Sequence, residues 1–108
     1  MGFDINSILG DMAGAIKNVV KQDAGDIKQY ANQTLEKEKD SLEKLGLARL
    51  AGEIDDEIFT REIEREKKVV EVDLLTIQIM TKVLAQKAAN AAIDVFAKAV
   101  KTAIDAAL

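Results

Sequence analysis

The residues of this chain that most resemble a chemical site are four acidic side chains near its midpoint. Within the stretch LAGEIDDEIF they are Glu53, Asp55, Asp56 and Glu57. Clustered carboxylates can bind a cation such as calcium, whose ligands in proteins are oxygen atoms. The cluster lacks the alternating oxygen donors and the distal glutamate of an EF-hand loop. We therefore predict that it binds no metal.

The same stretch carries the signals of a turn between two helices. Gly52 can adopt the left-handed conformation that closes a helix, and Asp55 can cap the next helix by accepting a backbone N–H. Ile54 and Phe59 then occupy the two positions of a hydrophobic staple. The sequence predicts a turn near residues 52–55, with the acidic side chains at the positive end of the following helix dipole.

Few other residues offer chemistry. The chain has no histidine and no cysteine, which removes imidazole bases, thiolate nucleophiles and thiolate metal sites. Ser7 and Ser41 have no evident activating partner in the sequence. Glu62 and Glu66 lie one helical turn apart, as in carboxylate-bridged metal sites, but the Glu-x-x-His elements of those sites are missing. We predict a non-enzyme with no cofactor and no small-molecule substrate.

Helices must position these residues. The 108 residues include no proline, 48% are hydrophobic and 4% are aromatic, which is typical of helical proteins. Apolar residues from Ile5 to Val20 recur at three- and four-residue steps, and Asp4 can cap this helix. The apolar stripe continues in phase to Leu45, which favours one continuous helix. A break at Gly25, giving three helices in all, is the alternative.

The second half of the chain has no helix breaker after Asp56 and is apolar on several faces. One apolar row repeats every seven residues and consists of Ile63, Val70, Ile77, Leu84 and Ala91. A helix that is apolar most of the way round is buried most of the way round. The sequence thus predicts a single all-α domain over residues 1–108. Its two arms, each roughly 70 to 80 Å long if continuous, form an antiparallel hairpin that places the alanine-rich carboxy-terminal end beside the first helix.

A two-helix hairpin buries only one stripe of each helix, so further apolar rows of the second arm are expected to face water. An exposed apolar strip of that length marks a protein interface. The predicted interface residues are Leu75, Ile79, Val83, Ile93, Phe96, Val100, Ala103 and Ile104. We expect the hairpins to assemble into a helical-bundle homo-oligomer or to bind a helical protein partner.

Charge bears on the choice of partner. The net charge of −4 and the single tyrosine argue against nucleic-acid binding, which requires a basic face. From Leu74 to Leu108 four lysines and two aspartates give a charge of +2, which leaves −6 for residues 1–73. A lysine-bearing amphipathic helix could lie on an anionic membrane surface, and this membrane-active role is the main alternative. A small adaptor that offers its turn to a partner is a third possibility.

The sequence offers no targeting segment. The longest charge-poor stretch, Leu74 to Met80, is seven residues, far short of the ~20 that a membrane-spanning helix needs. No basic stretch precedes an apolar run at the amino terminus, so we predict no signal peptide. The expected location is the cytoplasm by default, or a phage or secreted assembly.

Three stretches together resemble a known group of proteins. They are the amino-terminal MGFDINSILGDM, the central LARLAGEIDDEIF and the carboxy-terminal AANAAIDVFAKAVKTAIDAAL. The chain is similar in these to small all-helical proteins of unassigned function from bacterial and prophage genomes. The resemblance implies no catalytic residues. It implies a bacterial or phage source and a structural role as an assembly component.

Overall fold

Helices account for most of the described residues, which confirms the all-α prediction. The computed structural model describes residues 3–21, 24–77 and 80–107 and shows no strand among them. The helices of this described part are α1 (Ile5–Val20), α2 (Ala24–Lys37), α3 (Lys39–Leu50), α4 (Asp56–Leu74) and α5 (Lys82–Ala107).

The predicted turn lies between α3 and α4. Gly52 has a φ of +75°, in the left-handed region that a glycine adopts without steric cost. Asp55 caps α4, because its carboxylate accepts the Ile58 N–H at 2.9 Å. Ile54 and Phe59, at the two positions of the predicted staple, both pack on the core. The turn therefore has the structure that its residues predict.

The first arm is not continuous, and the preferred prediction of one long helix is wrong. α1 ends at Val20, where Lys21 takes a left-handed conformation (φ 56°) and donates its N–H to the Lys17 carbonyl at 3.0 Å. The break precedes Gly25, which lies within α2. Val20 and Ile27 are both buried, so the reversal lets α1 and α2 pack against each other. A second break, at Glu38, separates α2 from α3.

The second arm is also divided. α4 ends at Leu74, and the Thr76 hydroxyl donates to the Asp73 carbonyl at 2.7 Å just beyond it. α5 begins at Lys82, preceded by Thr81, whose hydroxyl oxygen accepts the Leu84 N–H at 3.1 Å. Arms of 70 to 80 Å are therefore absent from a molecule whose extents are 41 × 24 × 19 Å. The radius of gyration, 13.6 Å, is close to the ~13 Å of a compact domain of about 100 residues.

α5 lies at the centre of the bundle and contacts α1, α3 and α4. Its contact with α1 was predicted from small side chains on both helices. On α5 these are the fully or almost fully buried Ala85, Ala88, Ala89 and Ala92. They bring the α1 backbone close, and the facing side of α1 contributes Met12, Ala13 and Ile16, all completely buried. The adjacency of the first and last helices is confirmed.

Three phenylalanines meet at one end of this core. Phe96 of α5 is completely buried and contacts Phe3 edge-to-face, with ring centroids 6.4 Å apart, and Phe59 at 6.2 Å. The Phe3 ring also covers Gly46 of α3. A Cβ at Gly46 would lie within 2.8 Å of Phe3 Cε1, so only glycine leaves space for this ring. The cluster joins the residues before α1 to α3, α4 and α5.

Half of the eight predicted interface residues are internal. Ile93, Phe96, Val100 and Ala103 are buried inside the chain, which contradicts the expectation that they face water. The reason is the division of the first arm, because α1 and α3 cover faces of α5 that a single long helix would leave open. α5 is apolar on several faces and is buried on several faces, but the helices that pack against those faces belong to the same chain.

Candidate functional site

The predicted interface residues do not form one surface. Leu75 and Val83 are 40% and 60% exposed, while Ile104 is half-buried against the core. Ile79 lies outside the described residues. The remaining predicted interface residues belong to the core described above. Leu75 and Val83 are thus the members of the predicted set that stay available to a partner.

Other large apolar side chains are exposed near Leu75 and Val83 in the sequence. Val69 and Val72 of α4 are 39% and 63% exposed, and they lie three residues apart, hence on one side of the helix. Together with Leu75 and Val83 they lie, along the chain, on either side of the connection between α4 and α5, and we call these four exposed residues the α4–α5 apolar patch. The predicted interface residues include neither Val69 nor Val72, because charged residues surround both in the sequence.

The acidic corner is engaged in ion pairs and capping. Asp56 pairs with Arg49 at 3.3 Å, Glu57 pairs with Arg61 at 3.6 Å, and Asp55 caps α4. Residues 3–21, 24–77 and 80–107 contain no group of three or more acidic side chains placed to hold a metal ion. Three of the four clustered acidic residues, Asp55, Asp56 and Glu57, thus have structural partners.

A groove of about 370 Å³ runs between α3 and α4, and we call it the α3–α4 groove. Its apolar part is formed by Leu45, Ala48, Ile54 and Ile58. Its polar part is formed by Ser41, Lys44, Glu62 and Glu66. The two helices run antiparallel on either side of the turn, which brings charged residues of α3 and α4 together, such as Arg49 and Asp56.

Glu66 is a residue of this groove whose pKa is raised. Its Oε2 accepts the Ser41 hydroxyl at 3.1 Å, whereas its buried Oε1 accepts no hydrogen bond from the described residues. Burial raises the pKa of Glu66 above 4.5, the Ser41 hydrogen bond opposes this, and the nearby Glu62 charge adds to it. Glu38, at the break between α2 and α3, also has a raised pKa, mainly through burial and then through the charges of Glu66 and Asp73.

Both serines donate to a carboxylate, Ser41 to Glu66 and Ser7 to Asp4, each at 3.1 Å. Neither pair resembles a catalytic one. A carboxylate alone is a weak base for a hydroxyl, and known serine nucleophiles use a stronger base held by a third group. The Ser7 contact belongs to the capped start of α1. The Ser41 contact orients Glu66 in the groove.

A second groove, of about 530 Å³, lies between α4 and α5 near the end of α3. Phe59, Ile63 and Val100 line its apolar part. The Arg49 Nε is buried there and donates to no described residue, although the Arg49 Nη2 pairs with Asp56. The charged residues on the rim of this groove have both signs, so they favour no particular charge on a ligand.

Comparisons with known proteins identify no relative. No protein-family model, curated protein or solved structure matches the chain. Within the described residues, no helix has both the length and the apolar character needed to cross a membrane.

Proposed function

We propose that this protein is a structural, non-enzymatic component that self-associates into a helical-bundle oligomer, with the α4–α5 apolar patch as the contact surface. The observation that carries the proposal is the exposure of Val72 (63%) and Val83 (60%) in a chain that buries most of its other large aliphatic side chains. Exposed apolar residues grouped in one region mark interaction sites. A bacterial or phage assembly, as the resemblance implies, is the setting that we propose.

The patch replaces the longer interface expected from the sequence. The rows that contain Ile93, Phe96 and Val100 are already covered by helices of the same chain, so they are not available to a second copy. Leu75 and Val83 remain exposed, and Val69 and Val72 extend the surface along α4. A second copy would cover these side chains and remove apolar area from water, which stabilises association by about 25 cal/mol per Å² of apolar area before the costs of binding.

The burial of α5 also weakens the membrane alternative. A helix that lies in the membrane interface needs an apolar face that can leave the protein and enter lipid. The apolar side chains Ile93, Phe96 and Val100 pack inside the bundle, while Lys98 and Lys101 face water. Lipid binding through this helix would require the core to open. We therefore expect no flotation with neutral or anionic vesicles at physiological salt.

The test is the mass of the protein in solution, measured by light scattering and sedimentation at tens of micromolar. We expect an oligomer for the wild type and a monomer of unchanged helicity for Val72→Glu and Val83→Glu. Both positions are exposed, where substitutions usually change stability by less than about 0.5 kcal/mol. Thr102→Glu, an exposed β-branched residue near the other end of α5, is the matched control and should stay oligomeric. A folded wild-type monomer at this concentration would refute self-association.

A further inference from the structure

We propose that two copies of this protein form a domain-swapped dimer, in which α1 of each copy leaves its own bundle and packs against α5 of the other. The exchange straightens the chain at Lys21, so that α1 and α2 join into one helix. The swap uses the core face of α5 that holds α1, not the α4–α5 apolar patch, and it is therefore independent of the self-association proposed above.

The first ground is the backbone at the end of α1. Lys21 has a φ of 56° and is the one residue other than glycine with a positive φ among the described residues. The left-handed region is disfavoured for an L-residue by roughly fivefold to thirtyfold. Short connections under strain are the sites at which proteins exchange elements between copies. A continuous helix through Lys21 removes this strain from both copies of the dimer.

The second ground is the sequence on either side of Lys21, which suits a continuous helix. Val20, Ile27 and Ala31 are buried and separated by seven and four residues, so a straight helix would carry them on one face. Residues 21–23 separate α1 from α2 and include neither glycine nor proline. Gly25 already lies within α2. The chain can therefore form the straight helix without a residue that opposes it.

The third ground is that the face of α5 has a defined occupant. In the monomer α1 contacts α2, α3 and α5. A second copy presents the same three helices, so its bundle receives a foreign α1 through the same contacts. The apolar side chains that move together are Ile5, Ile8, Leu9, Met12, Ala13, Ile16 and Val20. The two forms differ in the conformation at Lys21 and in the cost of joining two chains, which makes protein concentration decide between them.

The experiment uses the double variant Val72→Glu, Val83→Glu, in which the α4–α5 apolar patch is disrupted. The protein is unfolded in urea and refolded slowly at millimolar concentration, and monomer and dimer are separated by size. We expect a dimer that persists for hours after dilution to tens of micromolar, because α1 must leave the core before the copies can separate. The natively folded monomer kept at tens of micromolar stays monomeric for the same reason.

Substitution of Lys21 tests the role of the strained backbone. Glycine adopts a positive φ at no steric cost, so Lys21→Gly should favour the monomer. With two such positions in each dimer, the ratio of dimer to squared monomer concentration should fall roughly 25-fold or more. Asn18→Gly is the matched control, since Asn18 is exposed and helical three residues earlier. The control should change the ratio by less than about fivefold, because its residue is helical in both forms.

A distance within one chain identifies the swap directly. The chain has no cysteine, so Asp11→Cys and Gln33→Cys provide two spin-label sites, and both residues are exposed. In a continuous helix these positions are roughly 33 Å apart at 1.5 Å per residue. In the monomer α1 packs on α2, and the two labels should be much closer. Doubly labelled chains are refolded with an excess of unlabelled ones, and we expect the long distance in the dimer alone.

Three results would overturn the proposal. They are a protein that stays monomeric after refolding at millimolar concentration, a dimer that keeps the short distance, and equal losses of dimer for Lys21→Gly and Asn18→Gly. None of them bears on self-association through the α4–α5 apolar patch, because the mass of the wild type at tens of micromolar tests that contact. A wild-type monomer at that concentration would in turn leave the swapped dimer of the double variant unaffected.

Discussion

Replacing Gly46 by alanine should change stability in opposite directions depending on whether Phe3 is present. In the folded chain the Phe3 ring lies over Gly46, and a Cβ added there would be 2.8 Å from Phe3 Cε1 and 3.2 Å from Phe3 Cε2. Carbon atoms in folded proteins do not approach so closely without a shift. We expect the Phe3 ring to swing away from α3, since it is the movable partner of the two.

The size of the effect follows from three contributions. Loss of the edge-to-face contact with Phe96 costs about 0.5 to 1.5 kcal/mol. Exposure of a half-buried phenyl ring costs about half of the roughly 1.5 to 3 kcal/mol gained by burying a whole one. Alanine in place of glycine inside a helix stabilises by about 1 kcal/mol. Gly46→Ala should therefore lower the free energy of unfolding by roughly 0.3 to 2 kcal/mol.

The assay is a double-mutant cycle, followed by urea denaturation with far-UV circular dichroism. In the Phe3→Ala background the phenyl ring that blocks the added Cβ is absent, so Gly46→Ala should stabilise the protein by about 1 kcal/mol. The coupling between the two positions is then roughly 1.3 to 3 kcal/mol. Gly10→Ala in α1 is the control, because a Cβ there meets nothing within 4 Å, and it should stabilise in both backgrounds.

Stabilisation by Gly46→Ala of about 1 kcal/mol in both backgrounds would refute this account. It would mean that Phe3 does not cover α3 in solution.

Three further predictions concern the core, the turn and acid titration. Phe96→Ala should lower the free energy of unfolding in urea by about 3 to 5 kcal/mol, since it empties a completely buried site, whereas a minor loss would place Phe96 at the surface. Asp55→Ala should cost about 0.5 to 2 kcal/mol in thermal unfolding, equally with and without calcium or magnesium, and a metal-dependent stabilisation of the wild type alone would contradict it. Burial raises the pKa of Glu66 and Glu38 above 4.5, so the folded state binds more protons and the free energy of unfolding falls as pH rises from 4.5 through the folded pKa values. Glu66→Gln should therefore gain stability over the wild type at neutral pH but not well below pH 4.5, as urea denaturation at the two pH values would show, and the opposite order would be inconsistent with a raised pKa.

Local signals in the sequence predict the parts of the fold that depend on nearby residues. Gly52 and Asp55 determine a turn through backbone conformation and one hydrogen bond, both of which involve neighbours in the chain. The small side chains of α5 predict a close helical neighbour, which proves to be α1. These features require no knowledge of the rest of the structure.

The breaks at Lys21, at Glu38 and after Leu74 have weaker local signals, such as Gly25 just beyond the first and Thr81, which caps α5, after the third. Lys21 adopts a positive φ that lysine rarely takes, and no glycine or proline stands at any of the three positions. The apolar stripe stays in phase across the first two, so periodicity favours continuity there. The breaks let α1, α3 and α4 pack on α5 and let α2 pack on α1. This long-range packing is not visible in a window of neighbouring residues.

The dependence on long-range packing also explains why the candidate sites could not be predicted from the sequence. Phe96 and Val100 lie on apolar rows of α5. An apolar row predicts that its residues are buried, but it does not show whether they pack against the same chain or against a second copy. Glu66 looks like one of several glutamates on a charged helix. Its distinct environment comes from Ser41, which lies 25 residues earlier, and from the closure of α3 on α4.

The central position of α5 also bears on how the chain reaches its native state. The contacts between α1 and α5 join residues more than sixty positions apart, since α1 ends at Val20 and α5 begins at Lys82. A ribosome releases α1 to α4 before α5, so the faces of α1, α3 and α4 that pack on α5 stay open while synthesis continues. Such long-range pairing slows folding relative to bundles in which neighbouring helices pack together. It also prolongs the lifetime of aggregation-prone intermediates with exposed apolar surface. We expect refolding of the complete chain to be slow for an all-helical protein and to be helped by chaperones that hold nascent helices.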